Sequence, residues 1–364
     1  MHRPRAILID LVLPTMKKYQ ALERLEELES LVHTYGGVVV VKKLQRRGTP
    51  DHHTYIGKGK VEEIANEARE LRAQLLIVNG MLKPRQVYEL QELLRKEHLQ
   101  VWDRVDLILK IFEKHATSQE AKLQIELARL RHMGPRIFGM GHELSRQTGG
   151  IGTRGIGETN TEIMKRHLRE RERKLTADIE HAAQMRAGQR AYRRRQDLQT
   201  VSIVGYTNAG KTTLLNALTG RREYAADKLF ATLDTRIGQL YLPHAQKIAL
   251  LSDTIGFIQS LPPDLIEAFR STLAETVNAD VILHVVDACD PHRDEKMVVV
   301  EDILRQLGIS QAPMLFVFAK MDGVRRAERA RMRAAYRELH PAFVSAQSGE
   351  GVDTLLRRIE SMLK

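Results

Sequence analysis

The sequence contains a single cysteine, Cys289, among 364 residues. An internal disulfide is therefore excluded, which is typical of a protein that folds in a reducing compartment. Cys289 ends an apolar run and has no histidine pattern around it, so we expect a buried structural thiol. No run approaches the length of about 18 apolar residues that a membrane-spanning helix needs, and the N-terminal apolar run is too short for a signal peptide. We expect a cytoplasmic protein with no stable membrane insertion.

Acidic residues are fewer than basic ones. The chain has 57 Lys and Arg against 46 Asp and Glu, which gives a formal net charge of +11. A surplus of this size favours a polyanionic partner. Nucleic acid fits better than an anionic membrane because no amphipathic anchor or lipidation signal accompanies the charge. The 14 histidines show no spacing typical of zinc ligands.

The first part of the chain, residues 1–112, alternates short apolar runs with charged stretches of helical periodicity. The apolar runs cover residues 6–13, 37–44, 75–80 and 99–104. This order of strand and helix predicts a small, mainly parallel sheet covered by helices. We therefore expect a small N-terminal parallel α/β domain.

The second part, residues 113–197, is rich in helix formers and predicts a long antiparallel helical hairpin. A Gly-rich connection, residues 134–160, separates the two helical arms and would form the tip. The second arm carries eleven Lys and Arg against five acids between Glu162 and Arg195. The basic residues continue into the tip with Arg146 and Arg154. This pattern favours a hairpin that contacts RNA; the alternative is an ordinary solvated helix face.

The third part, residues 198–364, contains a phosphate-binding motif in the context that such a loop requires. A strand leads into G-x-x-x-x-G-K-T, and a helix follows. Lys211 would contact the outer phosphates, Thr212 would offer a hydroxyl to Mg²⁺, and Thr213 would contact the α-phosphate. The predicted nucleotide-binding loop consists of Gly205, Tyr206, Thr207, Asn208, Ala209, Gly210, Lys211, Thr212 and Thr213.

Downstream motifs complete the pattern of a Ras-like P-loop G domain. In "LLSDTIGF", Asp253 would hold Mg²⁺ through water, and Gly256 would present its amide to the γ-phosphate. Thr232 is the candidate switch threonine that would complete the metal shell. The predicted nucleotide contacts in these segments are Phe230, Ala231, Thr232, Leu233, Asp234, Asp253, Thr254, Ile255, Gly256, Ala319, Lys320, Met321, Asp322, Ser345 and Ala346. We expect Lys211, Thr232 and Gly256 to be catalytic, and Thr212, Thr232 and Asp253 to ligate the metal.

These motifs, in this order, resemble the HflX family of ribosome-associated GTPases. The resemblance covers essentially the whole chain and is specific in "GMGHELSRQTGGIGTRGIGET", "GYTNAGKTTLLNAL" and "DTIGFIQSLPPDLIEAFRSTL". It implies a cytoplasmic GTPase with Mg²⁺ as cofactor that binds the large ribosomal subunit and the 70S ribosome. It also implies splitting or rescue of stalled ribosomes after stress, with the hairpin tip reaching ribosomal RNA. We expect a monomer away from the ribosome.

Two positions bear on nucleotide selectivity and rate. Ala319 stands where the N-K-x-D motif has asparagine, so one contact to the base and to the phosphate loop is missing, while Asp322 still reads guanine. Phe257 stands where Ras-type enzymes have the glutamine that orients water, which predicts slow intrinsic hydrolysis that the ribosome accelerates. The segment from Thr232 to the next strand is short, which weakens the expected coupling of Thr232 to the γ-phosphate.

Three further interpretations remain open. Asn208 occupies the loop position at which potassium-activated relatives hold K⁺, although its side chain could instead satisfy a loop amide. Phe257 and Ala319 are compatible with a nucleotide-gated RNA-binding protein of negligible hydrolysis. The altered base-recognition loop is also compatible with an RNA remodeller that uses ATP.

Overall fold

The computed structural model describes residues 3–147, 160–196, 198–220, 229–230, 236–253, 256–259, 262, 265–266, 276, 278–309 and 313–363. They form two compact units. The first joins Met1–Lys114 with Leu123–Asp178, and the second joins His115–Lys122 with Ile179–Lys364. The predicted three-part division at 112 and 197 stays a prediction.

The first unit contains a four-stranded parallel sheet, with the strands in the order β2-β1-β3-β4. The inner strand β1 is buried over seven of its eight residues, of which six are aliphatic and the seventh is Asp10, paired with Arg24 at 3.2 Å. The strands are β1 (Arg5–Val12), β2 (Val38–Arg46), β3 (Leu75–Val78) and β4 (Gln100–Asp103). The expected small parallel α/β fold is confirmed.

Four helices accompany this sheet, and their apolar residues recur at helical spacing. Val61, Ile64 and Ala68 form the buried side of the second helix and pack in one core with Ile7 and Ile9 of β1. The helices are α1 (Lys18–Tyr35), α2 (Lys58–Leu71), α3 (Pro84–Leu93) and α4 (Arg104–His115).

The hairpin helices are α5 (Gln119–Gln147) and α6 (Asn160–Arg195). The Gly-rich connection was expected to start at residue 134, but α5 continues through it to Gln147, while residues 148–159 lie outside the described residues. Arg136 explains why the chain stays helical here. Its guanidinium bonds the carboxylates of Asp103 and Asp106, and these bonds hold the helical turn next to Pro135 in place. Packing and ion pairs of this kind override the weak helix propensity of glycine and proline.

An ion-pair network therefore anchors α5 to the N-terminal sheet. His132 Nε2 lies 3.3 Å from Oδ1 of both Asp103 and Asp106. Despite its burial, hydrogen bonds to these two carboxylates raise the pKa of His132 to about 9. The two carboxylates and His132 could together ligate a metal. Arg136 and the protonated His132 already balance the two negative charges, so we interpret the cluster as an ion-pair network.

The second unit contains a six-stranded sheet with the strand order β10-β9-β8-β5-β7-β6. All neighbouring strands are parallel except β6 and β7, which are antiparallel. The strands are β5 (Thr200–Gly205), β6 (Arg236–Leu242), β7 (Lys247–Asp253), β8 (Val281–Asp287), β9 (Met314–Ala319) and β10 (Ala342–Phe343). The expected strands at 200–205, 248–253, 281–287 and 314–320 are thus confirmed, while β6 and β10 were missed.

Helices pack on both faces of this sheet. On one face, Leu214 and Leu215 share a core with Leu355 and Ile359. On the other face, Met297 and Met332 share a core with Val286 and Phe318. The helices are α7 (Lys211–Thr219), α8 (Arg293–Gln306), α9 (Arg326–Ala335) and α10 (Val352–Met362).

The exposure of Cys289 differs from what the sequence predicts. Cys289 is exposed, so the expectation of a buried thiol was wrong. The reason is that β8 ends at Asp287, and Cys289 lies in the turn that follows the strand. Among the residues that the structure describes, no helix is long and apolar enough to cross a membrane.

The His132 network generates a prediction about pH. The pKa of His132 is about 9 in the folded chain and near 6.5 when unfolded. Its stabilising effect is therefore full below pH 6.5 and is lost as the pH rises through about 9. We expect His132→Gln to lower the free energy of unfolding by about 1–3 kcal/mol at pH 6 and by much less at pH 10.

Urea unfolding followed by tryptophan fluorescence measures this effect, because the single tryptophan, Trp102, lies in β4 beside Asp103. The substitution His53→Gln, at an exposed histidine 3.9 Å from Glu89, serves as the control. An equal effect of His132→Gln at both pH values would contradict the assignment.

Candidate nucleotide-binding site

The predicted nucleotide-binding residues lie at one edge of the second sheet. The parallel register pairs Ile203 with Asp253, Gly205 with Val285, and Asp287 with Ala319. The carboxyl ends of β5, β7, β8 and β9 consequently meet at the same edge, where ligands bind in open α/β sheets.

The phosphate-binding loop connects β5 to α7. Gly210 has a φ of +96° and precedes the first residue of α7, a conformation that favours glycine. Asn208 also has a positive φ, of +62°, and is exposed, whereas Ala209 is buried. The loop thus directs the backbone amides at the start of α7 towards the edge of the sheet, an arrangement that binds phosphate.

Lys211 is the buried cation of this loop. Its side chain is 7% exposed, and its Nζ donates to the carbonyl oxygens of Gly205 and Tyr206, at 3.2 Å and 2.8 Å. Burial lowers the pKa of Lys211 to about 8. An anion at the loop would favour the charged form of this group, so the site is electrostatically suited to phosphate.

Thr212 and Asp253 form the candidate metal site. Thr212 Oγ1 donates to Asp253 Oδ2 at 2.9 Å, and Asp253 is fully buried at the end of β7. A hydroxyl and a carboxylate are hard oxygen donors of the kind that Mg²⁺ prefers. The donor set at this edge therefore fits the predicted ion.

Gly256 and Phe257 lie directly against the phosphate-binding loop. Thr207 N–H donates to Phe257 O at 2.7 Å, and Phe257 N–H donates to Gly205 O at 3.1 Å. A Cβ on Gly256 would lie 2.8 Å from Thr207 Cγ2 and 3.0 Å from Lys211 Nζ. A side chain at this position would therefore require Thr207 and Lys211 to shift, and Gly256 lies close to the cation that would hold the outer phosphates.

Tyr206 links the same two segments through its side chain. The Gln259 N–H donates to the Tyr206 hydroxyl at 2.8 Å, and Lys296 Nζ lies 5.1 Å from the centre of the Tyr206 ring. Phe257 itself is 2% exposed. A phenyl ring buried in this way cannot orient a water molecule.

The base-recognition loop shows what replaces the missing asparagine. Ala319 is buried at the end of β9, and its Cβ lies 3.8 Å from the position that a Cβ on Gly210 would take. Lys320, with a φ of +59°, donates from Nζ to Asn208 O at 2.8 Å and to Asp287 Oδ2 at 2.7 Å. The Asp287 carboxylate thereby holds the lysine that braces the phosphate-binding loop.

Asp322 is held by the neighbouring loop. Ser345 is fully buried, and its hydroxyl donates to Asp322 Oδ1 at 2.6 Å. Met321 is buried beneath the loop, and Met321 N–H donates to Val344 O at 3.2 Å. Ala346 packs against the core of the sheet. These contacts fix one oxygen of Asp322 and leave the exposed carboxylate positioned to accept from a base.

Some of the predicted residues are not among those that the structure describes. Ala231, Thr232, Leu233, Asp234, Thr254 and Ile255 lie outside the described residues, and so does the short segment that follows Thr232. Phe230 is described and buried, with a φ of +56°. Thr213 lies in the first turn of α7.

Sequence reasoning missed Asp287 and Arg329. Asp287 ends β8 at the same edge as the other motifs, a signal that could have identified it. Arg329 donates to Val324 O at 3.0 Å and to Met321 O, and it pairs with Glu350 at 2.9 Å and 3.1 Å. It therefore braces the two loops that hold Asp322 and Ser345.

Three family models match consecutive parts of the chain. Residues 22–113 match the N-terminal region of GTP-binding GTPases, and residues 115–193 match their middle region. Residues 200–320 match the 50S ribosome-binding GTPase family. The P-loop and the Thr212–Asp253 pair therefore lie in a ribosome-binding GTPase domain, which supports a GTP-hydrolysing enzyme that associates with the ribosome.

Individual relatives agree with these matches. A GTPase HflX of Caldanaerobacter subterraneus is 42% identical over 99% of this chain and 81% of the relative. GTPase HflX of Escherichia coli is 38% identical over 94% and 79%. The crystal structure of a GTP-binding protein from Sulfolobus solfataricus in complex with GDP covers 99% of this chain and 98% of that chain, at 26% identity and a TM-score of 0.50. This chain belongs to the HflX family of GTPases.

Proposed function

We propose that this chain binds the large ribosomal subunit and the 70S ribosome and uses GTP binding and hydrolysis to split or rescue ribosomes under stress. It would act in the cytoplasm, as a monomer away from the ribosome. The observation that carries the GTP-dependent part is the buried Lys211 ammonium, which lies beside Gly256 at the edge of the sheet.

The catalytic roles follow from this geometry. Lys211 contacts the outer phosphates and offsets the charge that develops during transfer, while the Gly256 amide donates to the γ-phosphate. Thr232, which lies outside the described residues, is the third proposed catalytic residue, and its role rests on the sequence motif. Because backbone hydrogen bonds of Phe257 with Gly205 and Thr207 join the segment after Gly256 to the phosphate-binding loop, a γ-phosphate bound by Gly256 would act on both segments.

Thr212, Asp253 and Thr232 would hold Mg²⁺, and Asn208 would hold K⁺. When bound, the cations supply positive charge to the phosphate oxygens in the transition state. The protein contributes the hard oxygen donors and the fixed spacing of Thr212 and Asp253. Asp322 accepts from the guanine edge, and Lys320 holds the phosphate-binding loop in place.

The RNA-binding part rests on α6. Arg166, Arg169, Arg173 and Lys174 are exposed on this helix. Arginine and lysine side chains bind phosphate oxygens, and displacement of condensed counterions drives such binding. We propose that this surface of the hairpin contacts ribosomal RNA.

The rate of hydrolysis should depend on the large ribosomal subunit. Since Phe257 is buried and cannot orient water, we expect slow phosphate release by the protein alone and a rise of about 100-fold with purified large subunits. The triple substitution of Arg166, Arg169 and Arg173 by glutamine should remove most of this rise and leave the ribosome-free rate unchanged. Single-turnover phosphate release measures both rates.

Two outcomes would favour other functions. No acceleration by large subunits, together with RNA binding that depends on GTP, would support a nucleotide-gated RNA-binding protein. Equal affinity for ATP and GTP in a competition titration would support an RNA remodeller that uses ATP. Either result contradicts the ribosome-stimulated GTPase.

The affinity for GDP should depend on the residue at position 319. The substitution Ala319→Asn restores a side chain that can bond both the base and the phosphate-binding loop, so we expect GDP affinity to rise about 10-fold. Asp287→Ala releases the Lys320 ammonium and should weaken GDP binding by about 10-fold in the native background. Fluorescent-GDP titration measures these affinities.

Combining both substitutions tests whether Lys320 compensates for Ala319. If it does, Asp287→Ala has a smaller effect on GDP affinity in the Ala319→Asn background than in the native one. Equal effects in both backgrounds would show that the two contacts are independent. Asp302→Ala, at an exposed acid paired with Arg305 within α8, controls for loss of one negative charge.

A further inference from the structure

Helix α9 carries an unusual concentration of arginine. Between positions 325 and 337 the chain has six arginines, one glutamate and no lysine. Arg325, Arg326, Arg331, Arg333 and Arg337 are all exposed. Arg329, described above, points towards the base-recognition loop.

The five exposed arginines contribute little to the fold. The helix has one buried residue, Met332, which packs in the core with Val286 and Phe318. Among the residues that the structure describes, none of the five arginines has an acidic partner within 4.0 Å, and only Arg333 contacts a ring, with its guanidinium 5.6 Å from the centre of Phe343. Other exposed arginines of the chain, such as Arg305 and Arg357, do pair with acids, at 2.8 Å and 3.0 Å.

A group of exposed arginines without acidic partners is complementary to a polyanion. Each guanidinium has five donors and can bind phosphate oxygens in a bidentate manner. RNA fits this surface better than an anionic membrane because the other exposed residues of α9 are small or charged. Ala327, Ala330, Ala334 and Ala335 provide no apolar anchor for a lipid phase.

We propose that the exposed face of α9 with its two flanking residues, formed by Arg325, Arg326, Arg331, Arg333 and Arg337, is an RNA-docking surface of the G domain. It binds the phosphate backbone and is separate from the contact proposed for α6. Arg329, on the same helix, bonds Val324 O and Glu350 and so connects this surface to the loops that hold Asp322 and Ser345.

The test uses the full-length protein and fluorescently labelled double-stranded RNA. The variant Arg326→Gln/Arg331→Gln/Arg337→Gln removes three charges that form no ion pair with any of the described residues. We expect its RNA affinity to fall about 10-fold or more, and the slope of log K against log salt to decrease by about 2–3. Anisotropy titrations over a range of salt concentrations measure both quantities.

The matched control is Arg95→Gln/Arg305→Gln/Arg357→Gln, which removes the same charge at exposed arginines near acids. Equal losses in the two triple variants would overturn the proposal, because the effect would then be one of net charge. No RNA binding by the native protein, or tighter binding to phosphatidylserine vesicles than to RNA, would also overturn it. GDP affinity, measured alongside, should be native in the α9 variant and confirms that the G domain is folded.

This test is independent of the ribosome-stimulated reaction. Failure of large subunits to accelerate hydrolysis would contradict the proposed function and leave the RNA result standing. Loss of RNA affinity confined to the α6 variant would contradict the role of α9 and leave the proposed function intact.

Discussion

The parallel register of the second sheet is the constraint on which the nucleotide site depends. Because β5, β7, β8 and β9 run in one direction, the loops that follow them open at one edge. That edge collects a buried ammonium at Lys211, a buried carboxylate at Asp253 and an exposed carboxylate at Asp322. Burial of the first two charges is costly unless they are compensated, and within the fold Lys211 donates to two carbonyl oxygens while Asp253 accepts from Thr212. A nucleoside phosphate with its cation would add opposite charge beside both.

The loss of asparagine at position 319 leaves the base-recognition loop linked to the phosphate-binding loop. Lys320 reaches Asn208 O, and Asp287 holds the same ammonium. On the opposite side of the loop, Arg329 bonds backbone carbonyls and Glu350. Arg329 of α9 thus stabilises the loops that hold Asp322 and Ser345, while the other arginines of this helix, Arg326, Arg331 and Arg333, are exposed to solvent.

Most of the fold and the centre of the site could be predicted from the sequence, because strong patterns specify them. Apolar runs predicted strands β5, β7, β8 and β9, and the spacing of glycine and lysine at residues 205–212 predicted the phosphate-binding loop. Strand β6 was missed because its sequence does not alternate: Ile237 and Tyr241 are exposed although they are apolar, and a glycine occupies one of its buried positions. Strand β10 was missed because it has only two residues. Asp287 could have been found from its place at the end of an apolar run, whereas Arg329 acts through contacts with distant segments that spacing does not reveal. Gly134 and Pro135 suggested a connection, but the Arg136 ion pairs keep the chain helical there.

The central claim is that this chain reads guanine through the carboxylate of Asp322, positioned by Ser345. The most direct measurement compares GDP and xanthosine diphosphate binding to the native protein and to Asp322→Asn. The carboxylate accepts from the N1–H and amino groups of guanine, whereas an asparagine amide donates to the carbonyl that xanthine carries instead. The account predicts that the variant loses GDP affinity by about 100-fold and gains xanthosine diphosphate affinity. Unchanged GDP affinity in Asp322→Asn would contradict it.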